Sequence, residues 1–309
     1  MRAVVAESYG GPEVLRVGDH PEPELGPDSV LVRVRAASLN PVDYKITRGY
    51  LDAAFPTVFP LVPGWDVAGE VVAAGPAVRH VRVGQPVLGY ARKDFVGAGT
   101  WAELVAVPAR GIAPAPDAVD AVAASCLPLA GLTAWQSLVE VLEVGQGDTV
   151  LVHAASGGVG TLAVQIAVAR GARVLGTASA ASAEHVRALG AEHLEYGDGL
   201  TDRVRELAPD GVDAVLDLVG GEALETSPGV LREPGRLVSV VDAARVTELG
   251  GTYVFVRPDV AQLGDLARLV DEGRLRPVVQ ETHPLERVQD AVRAAEDGPV
   301  RGKVVLTVA

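Results

Sequence analysis

The stretch Val150-Leu151-Val152-His153-Ala154-Ala155-Ser156-Gly157-Gly158-Val159-Gly160 decides the reading of this chain. The apolar run 149–152 predicts a buried parallel strand, and a glycine-rich turn follows it. Residues 161–169 then predict a helix with an apolar stripe at Leu162, Ile166 and Ala169. Strand, turn and helix in this order open a dinucleotide-binding βαβ unit. The turn follows Gly-x-Gly-x-x-Gly with one departure, Ala155 at the first glycine, ahead of Gly157 and Gly160. Gly157 would let the backbone approach a pyrophosphate, and Gly160 would let the helix pack close to the strand. The free N–H groups of the helix start face the phosphate charge, so Ser156, Gly157, Gly158 and Val159 form the expected cradle. A glycine turn that merely joins strand to helix is the plainer alternative. A second strand at 173–177, in the expected order, favours the dinucleotide.

Working outward, the chain after residue 149 alternates strand and helix, with strand cores at 150–153, 173–177, 193–196, 212–219, 236–241 and 252–256. Such alternation predicts a doubly wound parallel sheet with helices on both faces. The part before it is β-rich. Short valine-rich runs at 3–6, 29–37, 66–73, 85–90 and 100–107 are separated by Gly and Pro punctuation. One short helix starts at Pro41 with Asn40 as its cap. Helical patterns cover 117–125 and 129–142, after the proline-rich stretch 113–116. The tail reads as a helix (261–272), a strand (277–281), a helix (285–296) and a last strand (303–308), and its single strands suit an addition to the N-terminal β domain.

With 309 residues the chain is long enough for two domains. A net charge of −13 argues against an electrostatic binder of nucleic acid or of an anionic membrane. No run approaches the length of a transmembrane span, and the first residues carry no long apolar segment before Glu7, so a cytoplasmic protein without a signal peptide is expected. The one cysteine, Cys126, excludes an intrachain disulfide and suits a reducing compartment.

Several stretches occur together in a telling order: Ala37-Ser-Leu-Asn-Pro-Val-Asp43, Val62-Pro-Gly-Trp-Asp-Val-Ala-Gly-Glu-Val-Val72, Val83-Gly-Gln-Pro-Val87, Leu127-Pro-Leu-Ala-Gly-Leu-Thr-Ala-Trp135 and the glycine turn. With them the chain resembles the medium-chain dehydrogenase/reductase superfamily over essentially its whole length. Within it, the likeness is to the zinc-free quinone oxidoreductase and enoyl (alkenal) reductase branch. The resemblance implies an α/β fold: a GroES-like β-barrel catalytic domain over 1–122, completed by 266–309, and a Rossmann domain over 123–265. It also implies a homodimer formed through the sixth strand of the Rossmann sheet, whose outer side has no neighbour.

Zinc-dependent members of that superfamily place Cys, His and Cys where Asn40, Trp65 and Leu129 stand here, and none of these three is a useful zinc ligand. No metal is therefore expected, and a zinc alcohol dehydrogenase is the distant reading. The choice of nicotinamide turns on the end of the second strand. NAD enzymes commonly place an acid there, roughly 20 residues past the glycines. Here Gly176-Thr-Ala-Ser-Ala-Ala-Ser182 has none before Glu184. Ser179 can bond a 2′-phosphate without repelling it, and Tyr196 resembles the tyrosine that approaches that phosphate in this branch. NADPH is the expected cofactor. The departure is a missing basic residue just after the serine, for which Arg187 and His185 are poorly spaced.

The resemblance implies hydride transfer to a quinone or to the C=C bond of an α,β-unsaturated carbonyl. Hydride at the β-carbon places charge on the carbonyl oxygen, which needs hydrogen-bond donors, and the α-carbon then needs a proton. The candidate catalytic residues are Asn40, Lys45 and Tyr50. Tyr50 and solvent water both remain open as proton donor. By the same likeness Thr133, Phe255 and Val256 attend the nicotinamide, and Arg301 reaches the pyrophosphate from the tail. A non-catalytic NADPH-binding protein of structural or regulatory role is the alternative from another class.

Overall fold

A computed structural model describes residues 1–232, 236–297 and 301–309. Two compact units emerge. One comprises Met1–Leu129, Pro258–Glu272 and Pro277–Ala309; the other comprises Ala130–Arg257 and Gly273–Arg276. The divisions expected at 122/123 and 265/266 thus fall at 129/130 and 257/258. Local bonding explains both shifts. The Leu129 N–H donates to Asp66 in the first unit, whereas the Arg257 N–H and C=O both engage the Gln136 side chain in the second.

The chain begins with β1 (Arg2–Val5), β2 (Arg16–Asp19), β3 (Ser29–Ser38), α1 (Pro41–Thr47), β4 (Thr57–Val62), β5 (Asp66–Ala74), β6 (Pro86–Tyr90), β7 (Val96–Ala98), β8 (Leu104–Pro108) and β9 (Ile112–Pro114). Two helices follow, α2 (Ala121–Ala124) and α3 (Pro128–Trp135), the latter passing into a π-helical stretch at Gln136–Val141. The expected strand 100–107 is shorter than its valine content suggests. The Trp101 carbonyl accepts from Val4 in β1 and the Trp101 N–H donates to Pro63, so pairing with β3 starts only at Leu104.

The second unit runs through β10 (Thr149–Val152), α4 (Gly158–Ala169), β11 (Arg173–Ala178), α5 (Ala183–Ala188), β12 (Glu192–Glu195), α6 (Leu200–Leu207), β13 (Ala214–Asp217), α7 (Gly221–Thr226), β14 (Leu237–Ser239), α8 (Ala243–Glu248) and β15 (Thr252–Tyr253). Its six strands are all parallel, in the order β12-β11-β10-β13-β14-β15. Numbered within the unit this is 3-2-1-4-5-6, the order that places a dinucleotide at the carboxyl ends of the central strands. Leu151, Leu175, Val215 and Leu237 form its buried core with Leu224 and Val246 from the covering helices. Each such leucine contributes about 1.5–3 kcal/mol on burial. Three strands stop two or three residues earlier than expected. β13 ends where the N–H groups of Val219 and Gly220 turn back onto the Asp217 carboxylate. β14 ends where the Ser239 hydroxyl accepts from Val241. β15 ends at Tyr253, before Phe255 and Val256, because the chain is drawn to Gln136 at Arg257.

The tail comprises α9 (Val260–Asp271), β16 (Val279–Pro284), α10 (Val288–Asp297) and β17 (Lys303–Thr307). Apart from Gly273–Arg276, it groups with the N-terminal strands. β17 pairs antiparallel with β3 in a seven-stranded sheet of order β16-β17-β3-β5-β6-β9, with β8 also on β3. Ala36, Cys126 and Val305 pack together under α2 in that unit. Burial pushes the Cys126 thiol up to about 12, which leaves it a small packing residue and not a nucleophile. No helix among the described residues is long and apolar enough to cross a membrane.

Candidate active site

In the first unit the candidate residues gather where α1 begins. Asn40 is the N-cap, and the Asp43 carboxylate accepts from the Asn40 backbone N–H at 2.8 Å. The Asn40 side chain is only 2% exposed and faces the other way. Its Nδ2 donates to Asp66 Oδ2 at 2.8 Å, and its Oδ1 accepts from the Lys303 ammonium. Asp66 opens β5 and also accepts from Ser38 Oγ and from the Leu129 N–H, each at 2.8 Å. Lys303 Nζ lies 3.7 Å from Asp66 Oδ2, with both side chains buried. The amide orientation of Asn40 is thereby fixed between a cation and an anion.

Burial raises the pKa of Asp66, opposed by Lys303, Asn40, Leu129 and Ser38 in turn. Asp43 is less well served. One carboxylate oxygen is buried without a hydrogen-bond partner, and burial pushes the acid up to about 7, with Asp66 adding to the rise. A folded acid whose pKa lies above its unfolded value binds protons more tightly when folded. Its stabilising share is complete below about pH 4 and is lost as pH rises towards 7. Asp43→Asn mimics the protonated acid and keeps the acceptor for Asn40. Thermal melts across pH 4–8 should show wild type and variant alike near pH 4. The variant should pull ahead by a few kcal/mol on the alkaline side. A difference that does not change with pH would refute this assignment.

Lys45 is exposed in the last turn of α1, and Tyr50, whose N–H donates to the Lys45 carbonyl, is 71% exposed beyond it. The buried end of the candidate set is thus Asn40, and Lys45 and Tyr50 present free surface. Trp65 is buried and meets Phe55 and Tyr90 edge-on, with ring centroids 5.8 and 5.9 Å away. Trp101 is wholly in the core. Arg301 is exposed two residues before β17. Asp43, Asp66, Ser38 and Lys303 were not singled out by the sequence reading. The available signal was an acid and a lysine, each opening a mostly apolar strand.

In the second unit the glycine turn has the expected shape. Gly157 is the extended N-cap of α4, which starts at Gly158, three residues earlier than the apolar stripe implies. A Cβ on Gly160 would collide with the Ala154 carbonyl, so helix and turn touch backbone to backbone there. At Gly157 the nearest atom to such a Cβ is the same carbonyl, at 3.3 Å. The space in front of Gly157 is therefore open to a ligand. The Ala155 departure has a structural counterpart in β11: a Cβ at Gly176 would lie 2.8 Å from the Ala155 methyl. The missing side chain at 176 makes room for the extra one at 155. The carbonyl of Thr177 accepts from Ala155, and Ala154, at φ 50°, completes the bend.

His153, directly after β10, is fully buried, with Nδ1 3.3 Å from Thr177 Oγ1 and Nε2 3.3 Å from Ser227 Oγ. Desolvation holds its pKa down to about 4, so the ring is neutral and serves as packing. Ser179 follows β11 and Tyr196 follows β12. Because Ala178 pairs with Glu195, these two are the next residues on neighbouring parallel strands. Tyr196 is 61% exposed there. Thr133 is buried on α3, one turn before Gln136, whose amide exchanges two hydrogen bonds with Arg257. That clamp anchors the segment carrying Phe255 and Val256. The glycine turn, the α4 N-terminus and the acid-free end of β11 fit a dinucleotide.

Two sequence families match the chain, "Alcohol dehydrogenase GroES-like domain" over residues 26–117 and "Zinc-binding dehydrogenase" over 189–306. The chloroplastic NADPH-dependent alkenal/one oxidoreductase of Arabidopsis thaliana is 36% identical over 99% of this chain and 79% of its own. The chain belongs to the medium-chain dehydrogenase/reductase superfamily. It is an oxidoreductase with the two-part α/β fold of that superfamily. Among solved structures, the quinone oxidoreductase from Coxiella burnetii is 35% identical with a TM-score of 0.88, covering 100% of this chain and 99% of that one. A structure described as an NAD-dependent alcohol dehydrogenase is equally near, at 35% identity, TM-score 0.89 and full coverage of both chains. The superfamily binds a nicotinamide cofactor, and the form taken by this chain has to be argued from its own residues.

Proposed function

We propose that this chain is a zinc-independent, NADPH-dependent reductase of quinones or of the C=C bond of α,β-unsaturated carbonyls. The observation that carries this reading is the use made of Asn40, Trp65 and Leu129. Asn40 and the Leu129 N–H hold the Asp66 carboxylate, and Trp65 sits among aromatic rings. These positions offer neither thiolate nor imidazole to a zinc ion. Among the described residues no three His, Cys, Asp or Glu side chains converge as metal ligands would. Polarisation of a substrate carbonyl then falls to hydrogen-bond donors, and Asn40, Lys45 and Tyr50 are the groups proposed to provide them.

NADPH, when bound, supplies the hydride. Ser156, Gly157, Gly158 and Val159 hold the pyrophosphate, with Arg301 assisting, and Ser179 and Tyr196 take the 2′-phosphate. Thr133, Phe255 and Val256 attend the nicotinamide. The names of two relatives, an alkenal/one oxidoreductase and a quinone oxidoreductase, support the substrate class. The exposed edge β15 is proposed to pair with its copy in a homodimer, and the protein is proposed to work in the cytoplasm on small-molecule substrates.

The test is NADPH oxidation by purified protein against a panel of enones and quinones, with metal content measured in parallel. Turnover with at least one of these classes, insensitive to chelators, is expected. Tight NADPH binding with no turnover on the whole panel would overturn the reductase reading. Loss of activity on removing stoichiometric zinc would overturn zinc independence.

A further inference from the structure

The end of β11 lacks the basic residue that would ordinarily accompany a serine facing a 2′-phosphate, and the acids Glu195 and Asp198 flank Tyr196 on the neighbouring strand. The structure supplies a cation from α6. Arg203 Nε and Nη2 donate to the Glu195 carbonyl at 3.1 and 2.7 Å, Nη2 donates to the Gly197 carbonyl at 3.2 Å, and Nη1 donates to the Asp198 carbonyl at 2.8 Å. These acceptors belong to residues 195, 197 and 198, on both sides of Tyr196. The turn curls around the guanidinium because Gly197 and Gly199 take positive φ, at 93° and 76°. A Cβ on Gly199 would stand 3.2 Å from Nη1. Among the described residues Arg203 has no carboxylate partner. Its charge is spent only on backbone dipoles.

We propose that Arg203 is the positioning residue that makes this corner select a cofactor bearing a 2′-phosphate. It locks the turn that presents the Tyr196 hydroxyl. The planar fork matters because one side chain must bridge three carbonyls at once, which an ammonium cannot do in the same geometry. This inference rests on the NADPH reading given above.

The experiment measures dissociation constants for NADPH, NADH, 2′,5′-ADP and 5′-AMP on wild type, Arg203→Met, Arg203→Lys, Tyr196→Phe and the Arg203→Met/Tyr196→Phe pair. Arg203→Met is expected to weaken NADPH and 2′,5′-ADP by about 10- to 100-fold, the scale of a lost charge-assisted contact. NADH and 5′-AMP should move by less than about twofold. Arg203→Lys should fall between, keeping charge without the fork. The double variant should lose little more than Arg203→Met alone, since both act through one hydroxyl. Equal losses on phosphorylated and unphosphorylated ligands, additive losses in the double variant, or full recovery in Arg203→Lys would each overturn the proposal. A preference for NADPH that survives Arg203→Met overturns this inference alone. A wild-type protein without that preference overturns the NADPH reading with it.

Discussion

Gly157→Val is expected to weaken NADPH and NADH alike by on the order of 10³-fold while leaving the fold intact. Gly157 and Gly160 do different work, and the structure separates them. At Gly160 any side chain meets the Ala154 backbone, so substitution there damages the packing of α4 on the turn. At Gly157 the protein itself crowds a Cβ only at the Ala154 carbonyl, and φ is an ordinary −76°. A side chain at Gly157 thus makes a far smaller demand on the Ala154 carbonyl than one at Gly160, and valine is expected to cost the ligand more than the fold. Its branches would fill the space through which, in the proposed site, a pyrophosphate reaches the N-terminal N–H groups of α4. Losing two or three such charge-assisted bonds accounts for the size of the effect. Titration of both nucleotides, with a melting curve to show that the variant is folded, checks it. Unchanged affinity in a folded variant would move the phosphate away from this turn.

The parallel sheet was legible because each strand is a short apolar run bounded by glycine or a capping residue. The strand order then follows from one dinucleotide motif and the rule for connections. Boundaries were less legible for local reasons. Gly158 and Gly160 read as turn although the helix already runs through them, and Asp217 and Ser239 cut their strands short by accepting backbone bonds. The two-stranded sheet of β4 and β7 was missed, since Pro56, Pro60 and Pro63 obscure it.

In the candidate site, Asn40 was legible from its capping position and Ser179 from the end of its strand. Their partners were not. Asn40 meets Lys303 across 263 residues of sequence, a pairing that exists only because β17 lies against β3. Arg203 likewise looks like any solvated helix arginine until the turn wraps round it.

The buried pair behind Asn40 carries the largest expected effect on stability. Lys303→Met should destabilise the first unit by about 3–5 kcal/mol at pH 8, the usual result of leaving one charge of a buried pair behind. Methionine fills a similar volume, so the loss is electrostatic: Asp66 remains ionised with only neutral donors around it, and Asn40 loses the donor to its Oδ1. The pH dependence has a definite sign. Without the ammonium, burial raises the Asp66 pKa further, so the folded variant binds a proton more tightly than the unfolded chain. Its deficit should be smallest near pH 4 and should grow as pH rises. Adding Asp66→Asn removes the orphaned charge and keeps one acceptor, its amide oxygen for the Leu129 N–H, while the Ser38 hydroxyl can turn to accept from the new amide, so the double variant should recover most of the loss at pH 8. Denaturant titrations at both pH values on wild type, both single variants and the double variant complete the cycle. A Lys303→Met protein within about 0.5 kcal/mol of wild type at pH 8, the range of an ordinary surface change, would show that Asp66 carries no charge in the fold.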